Sequence, residues 1–192
     1  MKRTRFVAVA VLIFPAALLG AQQAPAPSAP GTVITSAIRG FGTNYAGWLM
    51  TAFDSIPAAK YGFRPTPVQM TVGTVAGHLE SANYALCTRF SGMAHPMTAK
   101  DSSADSVKGQ WPKDTLVARL KASFEFCNKA FETVTDANLV DSMPGFAPGR
   151  KMVRARLVDI FVLDLVDHYS QIANYMRIMG MVPPSAYPRP RM

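Results

Sequence analysis

The segment DLVDHYSQIANYMRIMGMVPPS, residues 164–185, decides the fold that we expect for this chain. Its apolar residues recur at three- and four-residue intervals, which is the pattern of an amphipathic helix. Continued towards the N-terminus, the same pattern predicts a helix from about Arg150 to Met179. Gly180 is a natural C-cap for that helix, and Pro183 cannot continue it.

Polar side chains interrupt the inward-facing stripe of this helix. Asp164 and His168 are four residues apart, and Gln171 follows one turn later, so the three share a face with Phe161 and Tyr175. An ionised carboxylate on a buried face destabilises the fold unless another group compensates its charge. A bound metal ion would compensate Asp164, and so would a hydrogen bond between Asp164 and His168.

Amphipathic patterns predict three further helices before this one. They run from about Thr32 to Ser55, from Val72 to Phe90 and from Thr115 to Val134. Thr71 and Asp114 are the predicted N-caps of the second and third helices. Each helix needs partners for its apolar face, so the expected fold class is all-α, a four-helix bundle over residues 32–185 with a tail at 186–192. We predict no strand, and we expect irregular connections between the helices.

The N-terminal segment has the composition of a targeting sequence. MKRTR, residues 1–5, is basic, and the apolar run at 6–20 has 15 residues, fewer than the roughly 20 that a membrane-spanning helix needs. We therefore predict a secretory signal peptide at 1–21, followed by a Pro/Ala-rich linker at 22–31. The expected location is the periplasm or the exterior of a bacterium, without a stable membrane anchor after cleavage.

The charge of the mature chain argues against a nucleic-acid partner. The full sequence has a formal net charge of +8. Loss of residues 1–21 removes three basic residues and no acidic one, which lowers this charge by 3, to +5. So modest a basic excess gives little reason to expect nucleic acid, which an exported protein rarely meets. The partner that we expect is a small molecule, which the sequence does not identify.

A second helix offers another metal ligand. His78 is in line with Val75 and Ala82 on a face that we expect to be buried. Two histidines and one carboxylate, here His78, His168 and Asp164, can bind Zn²⁺, Ni²⁺ or Fe²⁺ and leave coordination positions open. The alternative is that both histidines are hydrogen-bonded core residues and that Asp164 pairs with one of them.

Two motifs together resemble the DinB/YfiT-like superfamily of metalloenzymes. The segment from Thr71 to Leu79 is similar to the family's helix-two pattern T-x-x-x-x-x-x-H-L, and the last helix is similar to its H-x-x-x-H-x-x-Q pattern. The order and separation of the motifs agree over about residues 33–185. The family's following tail pattern is matched by Tyr175, Arg177, Gly180 and Pro183. The resemblance implies a four-helix bundle with a divalent metal bound between the second and fourth helices.

One ligand position departs from the family pattern. Asp164 stands where the family has the first histidine of its last helix. Carboxylate can replace imidazole as a ligand, so the resemblance implies a site of His78, Asp164 and His168, unless the replacement has weakened or abolished it.

The resemblance leaves two functions open. Relatives include thiol-dependent transferases and isomerases, so one function is a metal-dependent hydrolase or thiol-dependent transferase. Export favours hydrolysis, since the relevant thiols are mainly cytoplasmic. The alternative is a non-catalytic envelope or stress-related bundle that has lost the metal. A homodimer is compatible with either function, and the sequence identifies no catalytic residue.

The remaining reactive side chains have simpler interpretations. Cys87 and Cys127 lie on the second and third predicted helices. They would be core residues in a reducing compartment, whereas in an exported protein we expect them to form one disulfide. We expect His95 to be an exposed loop residue rather than a fourth ligand.

Overall fold

A computed structural model describes residues 32–97 and 101–188. The bundle helices are α1 (Val33–Ser55), α2 (Val72–Ser91), α4 (Lys113–Phe131) and α5 (Arg154–Ile178), and a short helix, α3 (Asp105–Lys108), lies between α2 and α4. The predicted all-α class and the four-helix bundle are confirmed. The predicted signal peptide and linker lie outside the described residues.

Each of the four long helices packs against two others. Helix α2 packs against α4 and α5, and α1 packs mainly against α5 and less extensively against α4. The helices bury large apolar side chains that have no solvent-exposed surface, among them Leu49, Phe53, Leu79, Leu120 and Leu165. Burial of each such side chain contributes roughly 1.5–3 kcal/mol, so the apolar stripes of the sequence hold the bundle together.

The ends of α2 follow from local sequence. The Thr71 hydroxyl accepts a hydrogen bond from the Thr74 amide at 3.0 Å, as expected of the predicted N-cap. At the other end Gly92 has φ of 77°, a conformation that glycine adopts without steric cost. These two signals fix the length of the helix that carries His78.

The first turn of α1 is capped from a distant part of the chain. The Asp136 carboxylate accepts hydrogen bonds from the Ile34 amide at 3.1 Å and from the Thr35 amide at 2.8 Å. Burial alone would raise the pKa of Asp136, but these backbone hydrogen bonds outweigh it and lower that pKa. The interaction joins the start of α1 to the connection between α4 and α5.

The prediction that the chain has no strand is wrong at one place. Residues Ser142–Pro144 (β1) and Lys151–Val153 (β2) form a two-stranded antiparallel hairpin, with Met143 opposite Met152. Since β2 leads directly into α5, this helix begins at Arg154 rather than near residue 150. The hairpin thus replaces the predicted first turn of α5.

The beginning of α4 also differs from the prediction. The helix begins at Lys113, after Pro112, so Asp114 lies in the first turn instead of at the N-cap. An acidic side chain there still interacts favourably with the positive end of the helix. Helix α3 was not predicted either, because it is four residues long.

A disulfide joins two bundle helices. Cys87 on α2 and Cys127 on α4 are bonded, with their Cα atoms 5.3 Å apart. This pairing confirms the prediction for the two cysteines. Within 32–97 and 101–188, no helix is long and apolar enough to cross a membrane.

Candidate metal centre

The structure brings together the three side chains that the sequence predicted as ligands. His78 on α2 and Asp164 and His168 on α5 each place one potential ligand atom within 4.8 Å of the others. The Asp164 Oδ1 atom is 3.7 Å from His78 Nε2 and 3.5 Å from His168 Nε2. Because α2 packs against α5, the spacing of Asp164 and His168 along α5 is enough to place both near His78.

The second nitrogen of each imidazole is engaged outside this cluster. His78 Nδ1 is 2.9 Å from Oδ2 of Asp105, and His168 Nδ1 is 3.0 Å from Oε1 of Gln171. The Gln171 amide nitrogen donates to the Tyr175 hydroxyl at 2.8 Å. Both Nε2 atoms therefore remain on the side of Asp164.

The cluster is buried at one end and open at the other. The side chain of His168 is 8% exposed, that of Asp164 is 22% exposed, and that of His78 is 32% exposed. A small molecule can therefore approach at the His78 end.

A polar groove borders the cluster. It encloses about 760 Å³ between the segment before α2 and the outer side of α5. Its lining includes His168, Gln171, Gln69, Ser170 and Asn174. The groove is large enough for a small organic molecule.

Opposite charges control the protonation of the cluster. The hydrogen bond to Asp164 raises the pKa of His78 to about 9. Asp105 also acts to raise this pKa, whereas burial acts to lower it. Burial alone would lower the pKa of His168, but Asp164 and Gln171 outweigh it and raise that pKa. Burial acts to raise the pKa of Asp164, whereas His168 and His78 lower it to about 2. Asp164 is thus ionised at neutral pH, and a cation must displace protons from the imidazoles.

The donor set fits a divalent cation. Two imidazole nitrogens and one carboxylate are typical ligands of Zn²⁺, Ni²⁺ and Fe²⁺. Two ligand atoms on a tetrahedral Zn²⁺ ion are about 3.3 Å apart, close to the 3.5 Å and 3.7 Å separations seen here. Among the described residues, Asp164 Oδ2 is a buried oxygen without a hydrogen-bond partner. A cation that also binds Oδ2 would give this oxygen the partner that the protein does not.

Asp105 and the buried charges next to it were not predicted from the sequence. Asp105, which contacts His78, lies in a polar stretch of the sequence. Neither its spacing nor the hydrophobicity of its neighbours distinguishes it as a site residue. Glu80, only 2% exposed on the apolar helix α2, was a recognisable signal, because a buried carboxylate requires cationic partners. These partners are Lys108 and Arg119. His95 is exposed on its loop and lies outside the cluster, as predicted.

Comparison with known families agrees with this architecture. The model of the DinB superfamily matches residues 48–172, which include all three clustered side chains. The chain belongs to the DinB superfamily. A search of curated proteins finds no match.

Solved structures support the same fold for this DinB superfamily member. A DinB-like protein from Bacillus cereus aligns with a TM-score of 0.63 and 17% identity, over 79% of this chain and 97% of its own. A DinB-like protein from Bacillus subtilis aligns with a TM-score of 0.58 and 16% identity, over 76% of this chain and 94% of its own.

A third solved structure is that of a mycothiol-dependent maleylpyruvate isomerase. It aligns with a TM-score of 0.58 and 15% identity, over 72% of this chain. The DinB superfamily member described here spans only 60% of that enzyme. At such identities the likeness establishes the fold alone.

Proposed function

We propose that this chain is an exported metal-dependent enzyme in which His78, Asp164 and His168 hold a divalent cation such as Zn²⁺, Ni²⁺ or Fe²⁺. The observation that carries the proposal is the convergence of these three side chains from two helices, with one ligand atom of each within 4.8 Å of the others. The buried, unpartnered Asp164 Oδ2 in the described part of the chain supports it.

The protein contributes positioning and charge to this chemistry. A divalent cation, when bound, supplies a Lewis acid that lowers the pKa of a water or thiol at an open coordination position. Asp164 reduces the charge of the cation and its ligands from +2 to +1, whereas an all-histidine set would leave it at +2. The open His78 end admits the reacting molecule. The groove reaches the centre at His168 and is a second place for part of a substrate to bind.

Two reaction classes are compatible with such a centre. We propose hydrolysis first, because an exported protein rarely meets the low-molecular-weight thiols of the cytoplasm. The mycothiol-dependent isomerase among the structural neighbours makes thiol transfer the second candidate. Cysteamine and mercaptoacetate test the second candidate when they are added to the Zn²⁺-loaded Cys87→Ala/Cys127→Ala variant, which has no disulfide for a thiol to reduce. Binding of a thiol at the centre should raise the melting temperature of this variant, and an unchanged temperature would contradict thiol transfer.

The proposal of export has its own experiment. The Cys87–Cys127 disulfide supports it, because such bonds persist in oxidising compartments. We expect the intact mass of the exported protein to correspond to a chain that begins near Gln22. A mass that still includes residues 1–21 would contradict cleavage of a signal peptide.

Metal binding is tested by thermal unfolding with matched variants. We expect Zn²⁺ or Ni²⁺ to raise the melting temperature of the parent protein, since a ligand that binds only the folded state at 100 times its Kd stabilises it by about 2.7 kcal/mol. His168→Ala should abolish this response, and His95→Ala, which removes an exposed histidine outside the cluster, should retain it. An equal response in His168→Ala and the parent would place the site elsewhere.

A further inference from the structure

Helix α3 lies closer to α2 than side chains normally allow. A Cβ atom at Gly73 would be 2.5 Å from the Gly109 carbonyl oxygen, and one at Gly77 would be 2.7 Å from Lys108 Cβ. Two glycines on α2 therefore create the surface on which α3 rests.

Buried charges hold α3 in this position. Lys108 is 1% exposed, and its ammonium donates to Glu80 Oε2 and to Ser81 Oγ, both at 2.8 Å. The other oxygen of Glu80 accepts from Arg119 Nε at 2.7 Å. A buried ion pair is often no more stabilising than apolar side chains of the same size, so stability alone does not explain this network.

The network holds Asp105, which lies one turn before Lys108, next to the Nδ1 atom of His78. Asp105 Oδ1 accepts from Ser81 Oγ at 2.9 Å, and Oδ2 is 2.9 Å from His78 Nδ1. A carboxylate can only accept, so the His78 Nδ1 atom must carry the proton of this hydrogen bond. In a neutral imidazole this leaves the Nε2 lone pair directed towards Asp164.

A separate chain of hydrogen bonds imposes the same tautomer on His168. The Met70 carbonyl can only accept, so the Tyr175 hydroxyl donates to it at 3.0 Å. The hydroxyl oxygen then accepts from the Gln171 amide nitrogen at 2.8 Å, which turns the amide oxygen towards His168. That oxygen accepts from His168 Nδ1, so here too Nε2 faces Asp164.

We propose that Asp105 and Gln171 are positioning residues that hold both imidazoles in the Nδ1–H form, so that Nε2 of His78 and Nε2 of His168 are the metal ligands. This inference rests on the metal site proposed above. It also gives α3 a role, because this helix places Asp105 within hydrogen-bond distance of His78 Nδ1.

Nuclear magnetic resonance on the parent protein tests the ligand atoms directly. In the full chain labelled with ¹⁵N-histidine and loaded with Zn²⁺, we expect the Nε2 resonances of His78 and His168 to shift on metal binding, while Nδ1 keeps its proton. Coordination through Nδ1 of either ring would overturn the inference. This readout needs no variant, so it does not depend on the folding of any mutant.

Zn²⁺ affinities of variants test the positioning roles. Loss of such supporting hydrogen bonds typically weakens metal binding by about 10- to 100-fold, which we expect for Asp105→Ala and Gln171→Leu. Asp105→Asn and Gln171→Glu should bind more tightly than those two variants, because each keeps an oxygen acceptor. Asp159→Asn, an exposed position on α5, is the matched control and should equal the parent.

The outcomes separate this inference from the proposed function. A parent protein that binds none of Zn²⁺, Ni²⁺ and Fe²⁺ overturns the proposed metal site and with it the positioning roles. A parent that binds Zn²⁺, together with folded Asp105→Ala and Gln171→Leu variants of unchanged affinity, overturns only the positioning roles. Lys108→Met should also weaken binding, because it releases α3 while Glu80 keeps its pair with Arg119.

Discussion

Removal of the disulfide between α2 and α4 should destabilise the protein by an amount that depends on the length of the loop that the bond closes. Cys87 and Cys127 are 40 residues apart. In the chain-entropy description, closing a loop of that size destabilises the unfolded state by about 4 kcal/mol at 25 °C. For a protein of this size, such a loss corresponds to a fall in melting temperature of roughly 8–16 °C.

Urea unfolding under two redox conditions measures this contribution. We expect a phosphine reductant to lower the free energy of unfolding of the parent protein by about 4 kcal/mol. The double variant Cys87→Ala/Cys127→Ala should be less stable than the oxidised parent even without reductant. Addition of the reductant should leave its free energy of unfolding unchanged. A change below about 1 kcal/mol in the parent would refute the entropic reasoning, since it would mean that the unfolded chain keeps these helices close without the bond.

Other predictions concern charge, ligand identity and close packing. Without metal, the attraction between His78 and Asp164 should stabilise the fold fully between about pH 4 and 6.5. This contribution is lost as pH rises through the His78 pKa of about 9 or falls through the Asp164 pKa of about 2. In the presence of a chelator, the free energy of unfolding should therefore differ more between pH 5.5 and pH 9.5 in the parent than in His78→Gln. Asp164→Ala should weaken Zn²⁺ binding at least tenfold by calorimetric titration, whereas Asp164→His should still bind; equal affinity of Asp164→Ala and the parent would exclude Asp164 as a ligand. Gly77→Ala should destabilise the fold because its Cβ would meet Lys108 Cβ at 2.7 Å. Gly47→Ala, with nothing within 4 Å of the added Cβ, should stabilise it by about 0.5–1 kcal/mol in the same denaturation assay.

The sequence was sufficient where a feature depends on neighbouring residues. Apolar spacing predicted the bundle helices, and the local signal at Thr71 predicted the beginning of α2 correctly. The pair Asp164 and His168 followed from helical periodicity alone. His78 was a candidate because it lies on the predicted buried face of the second helix. That this helix packs beside α5 depends on tertiary packing, and only the family resemblance implied it.

The sequence was insufficient where a feature depends on distant contacts. The hairpin of β1 and β2 has strands of three residues, too short for an alternating pattern, and its pairing displaced the predicted start of α5. Asp105 lies in a polar segment, and its contact with His78 exists only because α3 rests on α2. The glycines at 73 and 77 give no sign in the sequence that another helix approaches them.

The cap that Asp136 provides for α1 has a consequence for the order in which parts of the protein unfold. A helix whose first turn is capped by an adjacent residue can keep that turn when distant parts of the molecule separate. Here the acceptor for the Ile34 and Thr35 amides lies about 100 residues away along the chain. Hydrogen exchange at these two amides should therefore report on detachment of the α4–α5 connection, although they lie at the beginning of the first helix.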